Sequence, residues 1–101
     1  MVIEQLTFLV PPGMQERFLA LDHAIWTRAL AAQPEYIGKE VWREAELPER
    51  LHLIIRWQSR AAWKAVPTDL LAETDRQFTQ ALGTRFEVLT CLDQDVVTPQ
   101  L

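Results

Sequence analysis

The sequence predicts an α+β domain on a split βαβ plan, in which one four-stranded antiparallel sheet carries helices on a single face. Segments with period-two hydrophobic alternation occur near both ends of the chain and in its middle. Segments with helical periodicity separate them, which gives the order strand, helix, strand, strand, helix pair, strand. With 101 residues and no internal repeat, the chain has the length of one domain.

The first strand and the first helix are predicted from the first third of the chain. Val2 to Val10 is rich in β-branched and large apolar residues, and Pro11-Pro12-Gly13 ends this strand because proline donates no ladder hydrogen bond. From Met14 to Ala32 apolar residues recur at helical spacing without Gly or Pro, which predicts a helix of about five turns. Pro34 ends it, since the residue before proline is disfavoured in a helix.

A hairpin is predicted in the middle of the chain. Tyr36 to Arg43 is the second strand, in which Gly38 marks a bulge or a close backbone approach. A polar loop with Pro48 leads to the third strand, Arg50 to Trp57. Its alternate residues Leu51, Leu53, Ile55 and Trp57 predict a wholly apolar face, and the other face carries His52, Ile54 and Arg56.

Two helices and a strand are predicted to complete the domain. Ser59 is placed to cap a short helix that ends at Pro67, and Thr68 to cap a longer one that ends at Gly83. Residues 85–92 predict the fourth strand. We therefore expect one domain over residues 1–92 and a tail over residues 93–101 that frays or lies along a neighbouring subunit.

Composition argues against several classes of function. The net charge is −4, and the ten Lys and Arg residues form no run, so nucleic-acid binding is not expected. No stretch of about 18 apolar residues and no basic leader with an apolar stretch occur, which predicts a cytoplasmic protein without a membrane segment. The single cysteine, Cys91, is expected to be a small buried thiol. Phosphate-loop, paired-cysteine and His-x-x-x-His motifs are absent, so neither a cofactor nor a metal is predicted.

The second face of the predicted sheet is too apolar to be left in water. It is expected to present Ile3, Leu9, Ile54, Leu89 and Cys91 among polar side chains. Two copies laid sheet against sheet would cover it, and an isologous homodimer is the commonest symmetric solution.

Three features carry a family resemblance that extends over nearly the whole chain: the long first helix ending near Gln33-Pro34, the Tyr36-to-Trp42 strand and the pattern Trp57-x-Ser59-x-x-x-Trp63-Lys64. In these features the sequence resembles the dimeric α+β barrel superfamily of antibiotic-biosynthesis-monooxygenase-like and stress-responsive barrel proteins, and in particular its small bacterial members. The resemblance implies a ferredoxin-like monomer, a homodimer through the sheet faces and a pocket between sheet and helices. The superfamily includes cofactor-free oxygenases of aromatic substrates, haem-degrading enzymes and proteins without known activity.

Two residues are candidate catalytic groups. Asp22 falls between Phe18 and Ile25 on the helical wheel, so a half-buried carboxyl with a raised pKa could accept a proton there, unless an arginine or an indole N–H occupies it. His52 could act as a base or bind a haem iron, or it could simply be hydrogen-bonded. His23 is expected to lie on the solvated surface.

Four residues are candidate substrate ligands. Trp26, Trp42 and Trp57 could form the walls of a pocket for a planar molecule, although such residues more often fill a core or an interface. Arg56 could hold an anionic oxygen, or form a salt bridge with Glu87 or Glu4.

These observations favour a homodimer that binds a small aromatic or apolar molecule, with cofactor-free monooxygenase-like activity as the leading hypothesis. The alternative is a non-catalytic stress-response or ligand-binding dimer, and a haem-binding or haem-degrading protein is the third possibility.

Overall fold

The computed structural model describes residues 1–98. Four strands and four α-helices follow one another along the chain, with a π-helical segment inside the first long helix. The elements are β1 (Val2–Leu9), α1 (Pro12–Leu21), the π segment (Asp22–Thr27), α2 (Arg28–Ala31), β2 (Tyr36–Arg43), β3 (Arg50–Trp57), α3 (Arg60–Lys64), α4 (Thr68–Leu82) and β4 (Val88–Asp95).

The strands form one open sheet in the order β2-β3-β1-β4, and every pair of neighbours is antiparallel. The molecule measures 37 × 35 × 19 Å, and the shortest dimension fits a sheet and a single layer of helices. The predicted ferredoxin-like α+β fold is therefore confirmed. In the single chain the sheet has two edges and does not close into a barrel.

The core lies between the sheet and the helices, and β3 runs through its centre. One cluster surrounds Phe18, whose ring lies 5.4 Å from the rings of both Phe8 and Phe78 and 6.0 Å from that of Phe86. A second cluster contains Ile55 and the fully buried Trp57. Leu6 and Trp26 pack against both clusters, so the two form one continuous layer.

The ends of the later helices follow local chemistry that the sequence largely predicted. The Ser59 hydroxyl accepts a hydrogen bond from the Ala62 backbone N–H at 3.1 Å, which confirms the predicted cap of α3. Gly83 ends α4 with a φ of 83°, as predicted for a left-handed cap. The predicted capping role of Thr68 is wrong, because α4 begins at Thr68 itself and the preceding Pro67 has no side-chain donor or acceptor.

The first helix is continuous but not regular. The sequence predicted one α-helix from 14 to 32, whereas the backbone changes to π-helical hydrogen bonding from Asp22 to Thr27 before α2 resumes the α-helix. Apolar spacing did not reveal this local widening, because a π-helical turn differs from an α-helical turn by only about one residue. The π segment begins at Asp22, which is buried, and includes Trp26.

The fourth strand lies three residues later than predicted. Asp93 pairs with Glu4 and Asp95 with Val2, and the Arg60 side chain binds both aspartates. The first three residues of the predicted tail thus belong to the sheet, and Val96 donates a backbone hydrogen bond to Met1. The remainder of the predicted tail beyond Thr98 lies outside the described residues.

A bulge in β4 overturns two expectations about Cys91. Thr7 pairs with Thr90 but Phe8 pairs with Val88, so Leu89 is the extra residue and the alternation shifts there. Cys91 therefore pairs with Leu6 and belongs to the helix-facing side of the sheet, not to the open face. It is also exposed rather than buried, because β4 is an edge strand with all eight residues exposed.

Candidate functional site

A cavity of about 140 Å³ lies between the sheet and the helices, beside the Phe18 cluster. Ten of the seventeen lining residues are apolar or aromatic, and the other seven are polar or charged. The lining consists of Glu4, Leu6, Phe8, Phe18, Asp22, Trp26, Leu30, Lys39, Leu53, Ile55, Asp75, Phe78, Thr79, Thr84, Arg85, Phe86 and Val88. A small number of polar groups in an apolar pocket is typical of a small-molecule site.

Strand register places two charged residues at one level of the cavity. Glu4 of β1 and Lys39 of β2 both pair with Ile55 of β3, which runs between them. Directly paired residues project from the same face of a sheet, so Glu4 and Lys39 project toward the helices on either side of Ile55. Their presence makes this row a polar level in an otherwise apolar floor.

The π segment brings a third charged group to that level. The Asp22 carboxylate lies 2.6 Å from Lys39 Nζ, and the two side chains are 4% and 3% exposed. Burial raises the pKa of Asp22, and the neighbouring ammonium of Lys39 opposes this rise. Sequence reasoning expected an arginine or an indole as the alternative partner of Asp22, whereas the partner is a lysine two elements away along the chain.

Glu4 is the second carboxyl of the inner cavity, and it is half-buried. Its Oε1 accepts a hydrogen bond from Trp57 Nε1 at 3.1 Å. Burial raises the pKa of Glu4, while the Trp57 N–H and the charges of Lys64 and Lys39 lower it. Glu4 is therefore a carboxyl that can bind and release a proton closer to neutral pH than an exposed glutamate does.

The outer end of the cavity is lined by α4 and by the segment between α4 and β4. Asp75 and Thr79 belong to α4, and Thr84 and Arg85 follow it. Arg85 Nη2 lies 2.8 Å from Asp75 Oδ2, and the two side chains are 64% and 41% exposed. This ion pair therefore lies at the solvent side of the cavity, whereas the pair of Asp22 and Lys39 lies at its closed side.

The opposite face of the sheet carries a separate polar group around His52. Its Nδ1 lies 2.7 Å from Thr7 Oγ1, and its Nε2 lies 2.8 Å from Glu44 Oε1. Arg56 on the same face pairs with Glu40 of the neighbouring strand. Trp42, which pairs with His52 across the strands, is 50% exposed.

The comparisons with known proteins agree with this architecture. The model of the antibiotic biosynthesis monooxygenase family matches residues 1–66, a segment that contains β1, the first helix, the hairpin and α3. The chain belongs to the antibiotic biosynthesis monooxygenase family. No curated protein matches the chain significantly.

Solved structures of low identity share the fold. A monooxygenase of Streptomyces coelicolor in complex with the ligand nanaomycin D matches with a TM-score of 0.75 at 13% identity, over 99% of this chain and 90% of that one. A protein of Bordetella bronchiseptica given the same family description matches with a TM-score of 0.72 at 20% identity, over 96% and 97% of the two chains. A conserved protein of Methanosarcina mazei matches with a TM-score of 0.62 at 17% identity, over 90% and 89%.

The family fold brings only some of the sequence-predicted residues together. Asp22 and Trp26 both line the cavity. Trp57 is fully buried beneath it and reaches it only through its hydrogen bond to Glu4. His52, Arg56 and Trp42 lie on the opposite face of the sheet, so they cannot contact a molecule bound with Asp22. The expected salt bridge of Arg56 with Glu87 or Glu4 is wrong, because its partner is Glu40.

Sequence reasoning missed Glu4 and Lys39. The alternation Val2, Glu4, Leu6, Phe8 did place Glu4 on the apolar face, and a charged residue at such a position is a signal for a polar site. No comparable signal existed for Lys39, because the bulge beside Gly38 shifts the register of β2.

Neither histidine lines the cavity. His23 is exposed on the π segment, as predicted, and His52 lies on the other face. Among residues 1–98 no group of three His, Cys, Asp or Glu side chains is placed to hold a metal ion. Over the same range, no helix combines the length and apolar character needed to cross a bilayer.

Proposed function

We propose that the protein is a monooxygenase-like enzyme that binds a small aromatic molecule with an ionisable hydroxyl group in the cavity beneath the π segment. The observation that carries this proposal is the combination of an aromatic-lined cavity with a buried carboxyl group, Asp22, and a half-buried one, Glu4, in a chain of the antibiotic biosynthesis monooxygenase family. Fold alone does not choose a reaction, so the proposal depends on these side chains.

The cavity volume limits the size of the substrate. An apolar cavity of about 150 Å³ accommodates one benzene molecule, and the cavity here is of about 140 Å³. A single aromatic ring with small substituents fits, and the rings of Trp26, Phe18 and Phe78 provide the surfaces against which it packs. A fused system of three rings would need the outer end, near Phe86, to move.

In this proposal Glu4 and Asp22 have different roles in proton transfer. The Asp22 carboxylate is occupied by Lys39, so Glu4 is the group that takes the proton from a substrate hydroxyl. The ammonium of Lys39 lies at the same level of the cavity and stabilises the phenolate that results. Asp22, the residue that the sequence favoured as the base, then acts mainly by holding Lys39, and it accepts a proton only when that ion pair opens.

The overall reaction balances with dioxygen as the oxidant. A phenol and O₂ give a quinone and water: one oxygen atom enters the ring as a carbonyl, the other leaves as water, and the ring supplies the four electrons. Deprotonation by Glu4 makes the ring electron-rich enough to donate the first of them. The apolar walls at the inner end of the cavity limit the access of bulk water to the reduced oxygen species.

We further propose that the protein works as a homodimer through the open face of its sheet. Trp42 is 50% exposed there and Leu92 43%, and Ile3 lies between them in the same surface. No helix covers this face in the single chain, although Ile54 at its centre is already buried by its neighbours. An isologous contact would cover the apolar side chains that remain exposed. In this dimer the polar residues His52 and Arg56 would lie in the interface. A catalytic role for His52 stays a prediction, which the variant His52→Ala tests.

A non-catalytic ligand-binding dimer is the second candidate. The closed ion pair between Asp22 and Lys39 favours it, because a carboxylate that is already neutralised needs no substrate proton. In the part of the chain that the structure describes, every buried side-chain nitrogen or oxygen has a hydrogen-bond partner. This alternative predicts binding of phenols without consumption of oxygen. Haem binding has less support, since no histidine lines the cavity.

Oxygen uptake separates the two candidates. We expect purified protein to consume O₂ with a panel of monocyclic phenols and to form the corresponding quinones, which are detected by absorbance. Glu4→Gln removes the proton acceptor with little change in size and should reduce turnover about 100-fold or more while phenol binding is retained. His52→Ala is the matched control on the opposite face. Binding without O₂ uptake in the wild-type protein would leave the ligand-binding alternative, and equal loss in His52→Ala would place the chemistry on the other face.

The dimer proposal has its own test. Sedimentation equilibrium at micromolar concentration should give twice the chain mass, and Trp42→Glu should give the monomer with unchanged circular dichroism. A wild-type monomer would refute this part.

A further inference from the structure

We infer that Arg85 at the outer end of the cavity binds a carboxylate group of the bound molecule, so that the preferred ligand is a hydroxyaromatic acid rather than a simple phenol. This inference rests on the proposed function in one respect: it assumes that the cavity holds the aromatic ring. It adds a substrate class and a specificity-determining residue.

The cavity has polar groups at two levels and apolar walls between them. Glu4 and Lys39 mark the inner level, and Val88, which follows Arg85 closely, pairs with Phe8 at the outer level. Glu4 and Phe8 are four residues apart on β1, which separates the two levels by roughly 13 Å between Cα atoms. The side chains that extend inward from both levels shorten this span, and a ring with polar substituents at opposite ends suits it.

The charges of the lining fix the orientation of such a ligand. Two carboxyls, Glu4 and Asp22, lie at the inner level, and they would repel a second anionic group. Lys39 is already held by Asp22 in a buried pair, whereas Arg85 pairs with Asp75 at the outer end, where both side chains are exposed. Lys39 and Arg85 are the two cationic side chains that line the cavity within residues 1–98, so a carboxylate finds its cation at the outer end. The hydroxyl of the same molecule then points toward Glu4.

Arg85 is able to accept a second anionic partner. Its contacts with Asp75 use Nη1 at 3.3 Å and Nη2 at 2.8 Å, and the guanidinium carries five N–H donors in all. The pair is largely exposed, so solvent and salt weaken the hold of Asp75 on Arg85. The guanidinium remains charged at every working pH and matches a carboxylate in a bidentate geometry.

Three probes test the inference in the full-length protein. 4-Hydroxybenzoate, 4-hydroxybenzamide and phenol share the ring and the hydroxyl, and only the first carries a negative charge at neutral pH. Titration calorimetry gives their affinities, and quenching of tryptophan fluorescence gives an independent measure because Trp26 lines the cavity. We expect the acid to bind about tenfold more tightly than the amide, as charge-assisted hydrogen bonds at a partly exposed site allow.

Variants locate the effect. Arg85→Gln should reduce the ratio of the affinities for 4-hydroxybenzoate and 4-hydroxybenzamide to about one, while the affinity for phenol stays unchanged. Asp75→Asn should raise the ratio, since it frees the guanidinium. Arg76→Gln is the matched control, because Arg76 is the neighbouring exposed arginine, pairs with Glu73 and does not line the cavity. Circular dichroism and urea unfolding establish that each variant is folded.

The outcomes distinguish this inference from the proposed function. If the acid and the amide bind wild-type protein equally, or if Arg85→Gln leaves their ratio unchanged, the role of Arg85 is refuted while the cavity remains a phenol site. If Arg76→Gln lowers the ratio as much as Arg85→Gln, the preference reflects general surface charge and the inference is also refuted. If none of the three probes binds, both the inference and the proposed function fail.

Discussion

Replacing Lys39 by methionine should expose how strongly the buried ion pair depends on both of its members. The two side chains are 3% and 4% exposed and their charged atoms lie 2.6 Å apart, so Lys39→Met leaves the Asp22 carboxylate buried without a counter-charge. Removal of one partner of a buried pair costs about 3–5 kcal/mol. A domain of this size has a free energy of unfolding of roughly 5–15 kcal/mol, so the loss is large but measurable.

The loss should depend on pH with a definite sign. Burial already raises the pKa of Asp22 above its ordinary value of 3.8, and removal of Lys39 takes away a group that lowers it. A folded-state pKa above the unfolded one means that the folded protein binds the proton more tightly, so stability falls as pH rises through the window between the two values. Lys39→Met should therefore be only mildly destabilised near about pH 4 and fully destabilised near about pH 8.

Urea unfolding followed by tryptophan fluorescence measures this at one fixed protein concentration, which matters if the protein dimerises. The double variant Asp22→Leu with Lys39→Met removes both charges and should recover most of the loss, because an apolar pair of similar volume needs no counter-charge. The reasoning is refuted if Lys39→Met stays within about 1 kcal/mol of wild type at both pH values, or if the double variant is as unstable as the single one.

Three further changes test single features of the fold. The raised pKa of Glu4 makes the free energy of unfolding of the wild-type protein fall as pH rises above about 4.5. In Glu4→Gln this fall should be smaller, and parallel pH profiles of the variant and the wild type would contradict the prediction. Ser59→Ala should lower the unfolding free energy by about 1 kcal/mol through loss of the bond from Ala62, and Ser59→Thr should restore it. Gly83→Ala should lower the free energy of unfolding by about 1 kcal/mol in calorimetry, because Gly83 has a φ of 83°, although no atom obstructs a Cβ there. The control Gly13→Ala in α1 should not lower it.

The fold was predictable because its signals are local and repeated. Alternation in β1 and β3, the prolines after β1 and before α4, and the glycine at the end of α4 each agree with the same topology. A fold can be predicted from sequence when independent local signals agree in this way. The shift of β4 toward Asp95 was not readable, because Asp93 and Asp95 are polar and enter the strand through their pairing with β1 and their contacts with Arg60.

The candidate site was predictable only in part, because it depends on register and on backbone irregularities. The helical wheel placed Asp22 near the buried stripe, and it is buried. The lysine that pairs with it could not be named from sequence, since the bulge beside Gly38 decides which side of β2 Lys39 faces. The grouping of Asp22 with His52 and Arg56 failed because residues on β3 alternate between two faces that serve different surfaces.

Alternate residues of β1 face opposite sides of the sheet, which separates the proposed ligand cavity from the proposed dimer interface. Glu4, Leu6 and Phe8 line the cavity, whereas Ile3 and the residues in step with it face the open side. If the proposed dimer forms, a substitution at an open-face position would change assembly without placing an atom in the cavity, and the reverse would hold for a cavity position. The charges follow the same division, because Glu4 acts with Lys39 and Asp22 on one side while His52 acts with Thr7 and Glu44 on the other. The proposed cavity for a ligand and the proposed dimer interface thus lie on separate faces of one sheet, so either could vary in sequence without altering the other.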